Sequence, residues 1–181
     1  MKKATSIFLC EDILPEDVNR MALWLQNHRV TRFLNEDRQI VSELHQLITD
    51  VPPHMLRYHF NRYGHFFLAC TEERGSIGFV KLQEQQPGCY EIIFVIGDES
   101  LWGNGYGYQL VRLAESQAFL KWRAKELTAK IYHGNGRSVR VVCNCGFREV
   151  RRLEHLSCYS ITSEEYLELL TQKSSVLKRY C

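Results

Sequence analysis

The sequence predicts an α/β (α+β) domain with a mixed central sheet flanked by helices. Three stretches carry that prediction. An apolar segment at 89–96 runs into a glycine-rich turn holding Gly103, Gly105 and Gly107, and an amphipathic segment follows at 108–122. Segment 127–132 alternates like a strand and leads into Asn135, Gly136, Arg137 and Ser138, a helix-start signature, before an apolar helix that closes at Gly146 and Phe147. Strands at 65–71 and 76–83 flank Glu72, Glu73, Arg74 and Gly75, the composition of a hairpin turn.

Taken in order, residues 6–9 read as a short first strand. Asp17 is placed to cap a helix reaching about residue 27, in which Val18, Met21, Ala22 and Leu25 recur at i, i+3, i+4 and i+7. A second helical region covers 42–50 and is broken by Pro52 and Pro53. Residues 54–64 fit either a helix or a loop. After the hairpin, a turn at Gln86, Pro87 and Gly88 leads to the strand at 89–96, whose two apolar faces place it centrally in the sheet. The helix at 108–122 carries Leu110, Val111, Ala114, Ala118 and Trp122 on one stripe, which covers the sheet. Strand 127–132, helix 136–145 and strands at 147–153 and 155–161 follow. Thr162 or Ser163 caps a last helix containing Tyr166, Leu169 and Leu170.

A chain of 181 residues that is 45% hydrophobic and 24% charged fits one globular domain spanning 1–181. Its net charge of +2 is too small for a nucleic-acid surface. No stretch approaches the roughly 18–20 apolar residues that span a bilayer. The basic start at Lys2 and Lys3 precedes an apolar run too short for a signal peptide, so a cytoplasmic protein is the default expectation. The seven cysteines lack paired C-x-x-C spacing. Cys143 and Cys145 lie two apart on a predicted helix and so point in different directions, which favours free thiols over a metal site. The histidines are dispersed, and no metal is expected.

The glycine turn is the main chemical signal. Glycine tolerates positive φ and lets backbone N–H groups approach a ligand, while a helix start presents unpaired donors and the positive end of its dipole. Together they form a cradle for a phosphate or pyrophosphate. A P-loop would end in Gly-Lys-Ser/Thr, which is absent, and a dinucleotide fingerprint would read G-x-G-x-x-G early in the chain, whereas this turn is G-x-G-x-G past the midpoint. A tight strand–helix connection is the plain alternative.

The motifs I-G-D-x-x-x-W-G-N-G-Y-G (96–107) and N-G-R-S-V-R-V-V-C-N-C-G-F (135–147) resemble those of the GNAT family of acetyl-CoA-dependent N-acetyltransferases. Weaker echoes are W-L-Q-N-H-R-V-T-R-F-L (24–34) and Y-S-I-T-S-E-E-Y (159–166), and the ribosomal-protein N-terminal acetyltransferases form the most similar branch. The resemblance implies the GNAT fold, with a mixed, mostly antiparallel central sheet flanked by helices, and acetyl-CoA as cosubstrate. It implies that Phe94, Val95 and Ile96 hydrogen-bond pantetheine and that the turn of Trp102, Gly103, Asn104, Gly105, Tyr106, Gly107 and Tyr108 binds the pyrophosphate. Asn135 would line the channel, Ser138 would lie near the sulfur, and Arg137 would meet phosphates or solvent. The family turn reads Q/R-x-x-G-x-G/A, so Gly105 and Gly107 match while Trp102 replaces the Gln or Arg. A general-acid Tyr is common seven residues after the Asn; here that position is Val142.

Acetyl transfer to an amine needs a positioned thioester, a neutral amine and a stabilised leaving thiolate. Glu91 is the outlier of the central strand, sharing a face with Ile93 and Val95. Apolar flanks would suit it as general base, and pairing with an Arg or a solvated strand end is the structural alternative. Ser138 would donate a hydrogen bond to the thiolate, or else belong only to the helix cap. Tyr159, Tyr132 and His133 are reserve acids or bases. Tyr58, His59, Phe60, Arg62 and Tyr63 form an aromatic-basic cluster that fits a packed amphipathic segment better than an RNA surface. The expected reaction is direct transfer in a ternary complex to a primary amine, either a protein N-terminus or a small amine such as an aminoglycoside. A non-catalytic acyl-CoA-binding sensor or partner module is the rival. The sequence leaves the acceptor and the oligomeric state open.

Overall fold

The computed structural model describes residues 6–34 and 39–177. Its strands are β1 (Phe8–Cys10), β2 (Gly64–Thr71), β3 (Gly75–Gln86), β4 (Cys89–Ile96), β5 (Glu126–Tyr132), β6 (Arg148–Arg152) and β7 (Leu156–Thr162). The α-helices are α1 (Pro15–Gln26), α2 (His28–Thr31), α3 (Ile40–Asp50), α4 (Leu56–Phe60), α5 (Tyr106–Ser116), α6 (Gly136–Cys145) and α7 (Ser163–Leu177). One seven-stranded sheet runs in the order β1-β2-β3-β4-β5-β7-β6. All neighbours are antiparallel except the central pair β4 and β5. This is the mixed, mostly antiparallel sheet that the family resemblance implies.

The alternation of the strands sends their side chains into two cores. On one face, Tyr90 and Ile92 of β4 join Leu110, Val111 and Ala114 of α5, Val142 of α6 and Tyr166 of α7. On the other, Val95 joins Phe66, Leu68 and Phe79 under Val18, Met21 and Leu25 of α1 and Leu44 and Leu47 of α3. A close approach is needed where β4 ends, because a Cβ on Gly97 would lie 2.0 Å from the ring of Trp24 on α1. Only glycine leaves room for that indole.

The structure corrects two local readings and decides two that the sequence leaves open. Helix α1 begins at Pro15, whose fixed φ suits a first helical position. Asp17 therefore lies within the first turn, where its carboxylate accepts the Leu14 N–H at 3.1 Å. Residues 53–60 are helical, a 3₁₀ turn over Pro53–Met55 followed by α4. Leu56 is buried and Phe60 packs on Phe66, while Tyr58 and Tyr63 are exposed. Helix α5 starts at Tyr106, two residues before the amphipathic spacing predicts, and passes into a π turn over Gln117–Lys121. Last, Thr162 caps α7 rather than Ser163: its hydroxyl accepts the Glu165 N–H at 3.3 Å while the Glu165 carboxylate accepts the Thr162 N–H at 2.9 Å.

Helix α6 ends as its sequence indicates. Gly146 is left-handed (φ 106°), and Phe147 N–H donates to Val142 O at 3.1 Å. Cys145 is buried and Cys143 is exposed, so the two thiols point to different sides of the helix. Among the described residues, no helix is long and apolar enough to cross a membrane.

Candidate active site

The site exists because β4 and β5 part. They pair only at Cys89–Glu126, Tyr90–Leu127 and Glu91–Thr128. Beyond that point β4 runs on to Ile96 with β3 on one side only, while β5 continues against β7. The gap is a groove of two joined cavities of about 450 Å³ and 130 Å³, which share Phe33, Leu34, Phe94, Asn135 and Ser138. Phe33 follows α2 and reaches across to the far wall, within 3.2 Å of where a Cβ on Gly134 would lie.

The larger cavity ends at the glycine turn. Trp102 Nε1 donates to Ile96 O at 2.7 Å, folding the turn back onto the end of β4. Gly103 (φ 80°) and Gly105 (φ 83°) are left-handed, which accounts for glycine at both positions. A Cβ at either would meet no protein atom within 4 Å, so the space in front of the turn is open. Gly105 is the N-cap of α5, and the first bond of that helix runs from Gln109 N–H to Gly105 O at 3.1 Å. The amides of Tyr106 and Gly107 precede that bond, as an anion cradle requires. Gly107 departs from the sequence expectation. It has ordinary helical backbone, and a Cβ there would make normal contact with Val141 at 3.4 Å. Asn104 does not line the cavity; it is exposed, and its side chain donates to Ser100 O at 3.4 Å.

Helix α6 forms the opposite wall. Asn135 caps it by accepting the Ser138 N–H at 3.3 Å. Arg137, Arg140, Val141 and Asn144 recur at i, i+3, i+4 and i+7, and all line the larger cavity. The Arg137 guanidinium lies 4.1 Å from the centre of the Trp102 ring, within cation–π range. The positive group that Trp102 removes from the turn is thus restored from the next helix. Arg29 of α2 adds a third guanidinium, held at 2.8 Å from Glu99. Open amides at a helix start, guanidiniums, and a groove walled by Phe94, Val95, Ile96, Tyr106 and Tyr108 fit a long ligand with an anionic end.

Of the three expected catalytic residues, the structure brings two to the groove. Ser138 lines both cavities. Glu91 lines the smaller one, but the apolar isolation expected of it is replaced by an ion pair with Lys130 Nζ at 2.7 Å. Tyr159 lines neither: it is 6% exposed, opposite Ala129 in the β5–β7 register, with its side chain in the core beneath α5, α6 and α7. Burial pushes the Tyr159 hydroxyl up from its usual pKa. Tyr132 lines the smaller cavity, whereas His133 lies outside and meets the Ser157 hydroxyl at 3.3 Å. Val142 is fully buried and faces the core.

Arg29, Phe33, Arg140, Asn144 and Lys130 were not singled out as site residues from the sequence. The helical spacing from Arg137 could have identified Arg140 and Asn144. Arg29 and Phe33 lie within the weaker echo at 24–34, which names no role for them, nothing local marks Lys130, and all three reach the groove through tertiary packing.

Comparisons with known proteins agree with this geometry. A family model described as an acetyltransferase (GNAT) domain matches residues 11–148. A spermidine N-acetyltransferase from Vibrio cholerae, solved with CoA and spermine, is similar in fold, with a TM-score of 0.75 and 18% identity over 90% of this chain and 98% of that one. A GNAT-family acetyltransferase from Bacillus anthracis has a TM-score of 0.72 and 15% identity over 90% and 98%. An aminoglycoside acetyltransferase in complex with coenzyme A has a TM-score of 0.69 and 16% identity over 91% and 98%. Among curated proteins none matches by sequence.

Proposed function

Because the chain belongs to the family of GNAT acetyltransferase domains, we propose that it transfers an acetyl group from acetyl-CoA to a primary amine, and that a protein or peptide N-terminus is the preferred acceptor. The observation that carries the reading is the parting of β4 and β5 beside an open helix start and the Arg137–Trp102 stack. Branch resemblance favours the N-terminal amine. Similar folds act on spermidine and on aminoglycosides, so small amines are the competing acceptor class.

In this reading the amides of Tyr106 and Gly107, with Arg137 and Arg140, hold the pyrophosphate and its neighbouring phosphate. The Phe94 N–H and carbonyl and the Ile96 N–H, on the side of β4 away from β3, pair with the pantetheine amides. When bound, acetyl-CoA supplies an acyl thioester, which is activated towards an amine. Ser138 donates a hydrogen bond on the sulfur side. Glu91 takes the proton of the incoming ammonium, directly or through one water. No cysteine lines either cavity among the described residues, which favours direct transfer over a covalent acetyl-enzyme. Tyr159 has no part in this scheme.

The test is release of CoA with a panel of amines, run for wild type and Glu91→Gln. An alkyl ammonium with a pKa of about 10 needs a base far more than a peptide α-amine of about 8. Glu91→Gln should therefore slow the alkyl amine more than the α-amine and recover at high pH. Equal rates for mutant and wild type with both acceptors would remove Glu91 from the mechanism. Acetyl-CoA binding without turnover on any amine would favour the sensor module.

A further inference from the structure

We infer that the Lys130 ammonium occupies, at the Glu91 carboxylate, the place an acceptor's ammonium takes, so that Lys130 is a resident counter-ion which the acceptor displaces and a determinant of acceptor affinity. The inference rests on the proposed role of Glu91 and deepens it.

Glu91 belongs to the last residue pair before β4 and β5 diverge, and Lys130 lies two residues beyond its partner Thr128 on β5. Their ion pair therefore spans the groove where the gap begins. Glu91 and Lys130 are the only charged residues among the described ones lining the smaller cavity, where Phe33, Leu34, Ile93 and Ile131 supply apolar surface. A primary ammonium on an apolar stem already sits there, supplied by the chain itself.

The pair is asymmetric. The Glu91 side chain is 15% exposed and is fixed on a central strand, whereas that of Lys130 is 48% exposed on a flexible four-carbon stem. Lys130 can swing to solvent and be rehydrated, while Glu91 cannot leave. Exchange of one ammonium for another keeps the groove electrically balanced, so the carboxylate is never left unpaired in partly desolvated surroundings. A neutral or anionic ligand offers no such exchange. The groove thus selects for an amine carried on an apolar body, and Lys130 sets the affinity that the amine must exceed.

The test uses phenethylamine, which joins one ammonium to one apolar body, with phenethyl alcohol as the uncharged control. Binding to the free protein is measured calorimetrically for wild type, Lys130→Met, Lys130→Arg and Glu91→Gln, with matched melting curves to confirm folding. Lys130→Met should bind phenethylamine about two- to five-fold more tightly, the scale of a partly exposed ion pair. Lys130→Arg should stay near wild type, and phenethyl alcohol should not discriminate among the four. With an amine that is acetylated, Lys130→Met should lower KM with a smaller change in kcat.

Equal or weaker ammonium binding by Lys130→Met overturns the inference and makes Lys130 a recruiting or purely structural group. No phenethylamine binding to either protein overturns it too, because a vacated carboxylate in this groove must then hold an ammonium. If Glu91→Gln binds the ammonium as well as wild type does, Glu91 is not the anchor and the inference falls with it. Acetyl-CoA binding, measured on the same proteins, tests the parent reading separately. Its persistence beside an unaltered ammonium affinity in Lys130→Met sinks only the Lys130 inference.

Discussion

Ser138 and Asn135 share one short turn yet separate cleanly in what they do. The cap of α6 uses the Asn135 side chain and the Ser138 backbone N–H, so it does not need the serine hydroxyl. Ser138→Ala should keep the helix and melt near wild type, while turnover falls about 10- to 100-fold, as expected for losing one proton-donating contact. Asn135→Ala should instead cost about 1 kcal/mol of stability through the lost cap. Melting curves and rates on both variants decide the matter: an unchanged rate in Ser138→Ala would mean that its hydroxyl is not used. Trp102 shows how a departure from a family pattern is read at this scale. Its indole closes the turn on Ile96 O and its ring carries Arg137, so the substitution brings its own replacement for the missing charge.

At the scale of elements, the local signals located β4 and α6 at their observed limits. The strand is apolar apart from Glu91 between turn residues, and the helix has Asn135 at one end and Gly146 at the other. Boundaries set by backbone competition were less legible. Pro15 moves the start of α1 ahead of Asp17, and α5 begins two residues before the predicted segment, with Tyr106 one turn ahead of Leu110 and packed against the same core. The contact of α1 with the end of β4 gives a sharp test. A Cβ on Gly97 would overlap the Trp24 ring, so Gly97→Ala should destabilise the protein by about 1–3 kcal/mol, the usual cost of overpacking. Chemical denaturation reads it directly. A stability equal to wild type would mean that α1 can shift away from the sheet without cost.

For the whole molecule, the groove depends on one topological fact, that the single parallel pair of the sheet holds for three residue pairs and then opens. Apolar composition marks β4 and alternation marks β5, but neither marks the register at which they separate, since that follows from packing on both faces. The same limit kept Phe33, Arg29 and Lys130 from view: each meets the groove across a large sequence separation. The glycine turn and the start of α6 were legible because their chemistry is local. The account's central claim is that the groove binds acetyl-CoA through the start of α5, and a thermal melt of wild type and Gly105→Val, whose side chain would enter the open space in front of the turn, each with acetyl-CoA, NAD or ATP, tests it most directly. A ligand at about 100 times its Kd adds about 2.7 kcal/mol to the folded state, which for a domain of this size raises Tm by roughly 5–10 °C. The account predicts that shift for acetyl-CoA with wild type, and its loss in a Gly105→Val protein that melts cooperatively without ligand. An equal acetyl-CoA shift in both proteins, or a larger wild-type shift with NAD or ATP, would contradict it.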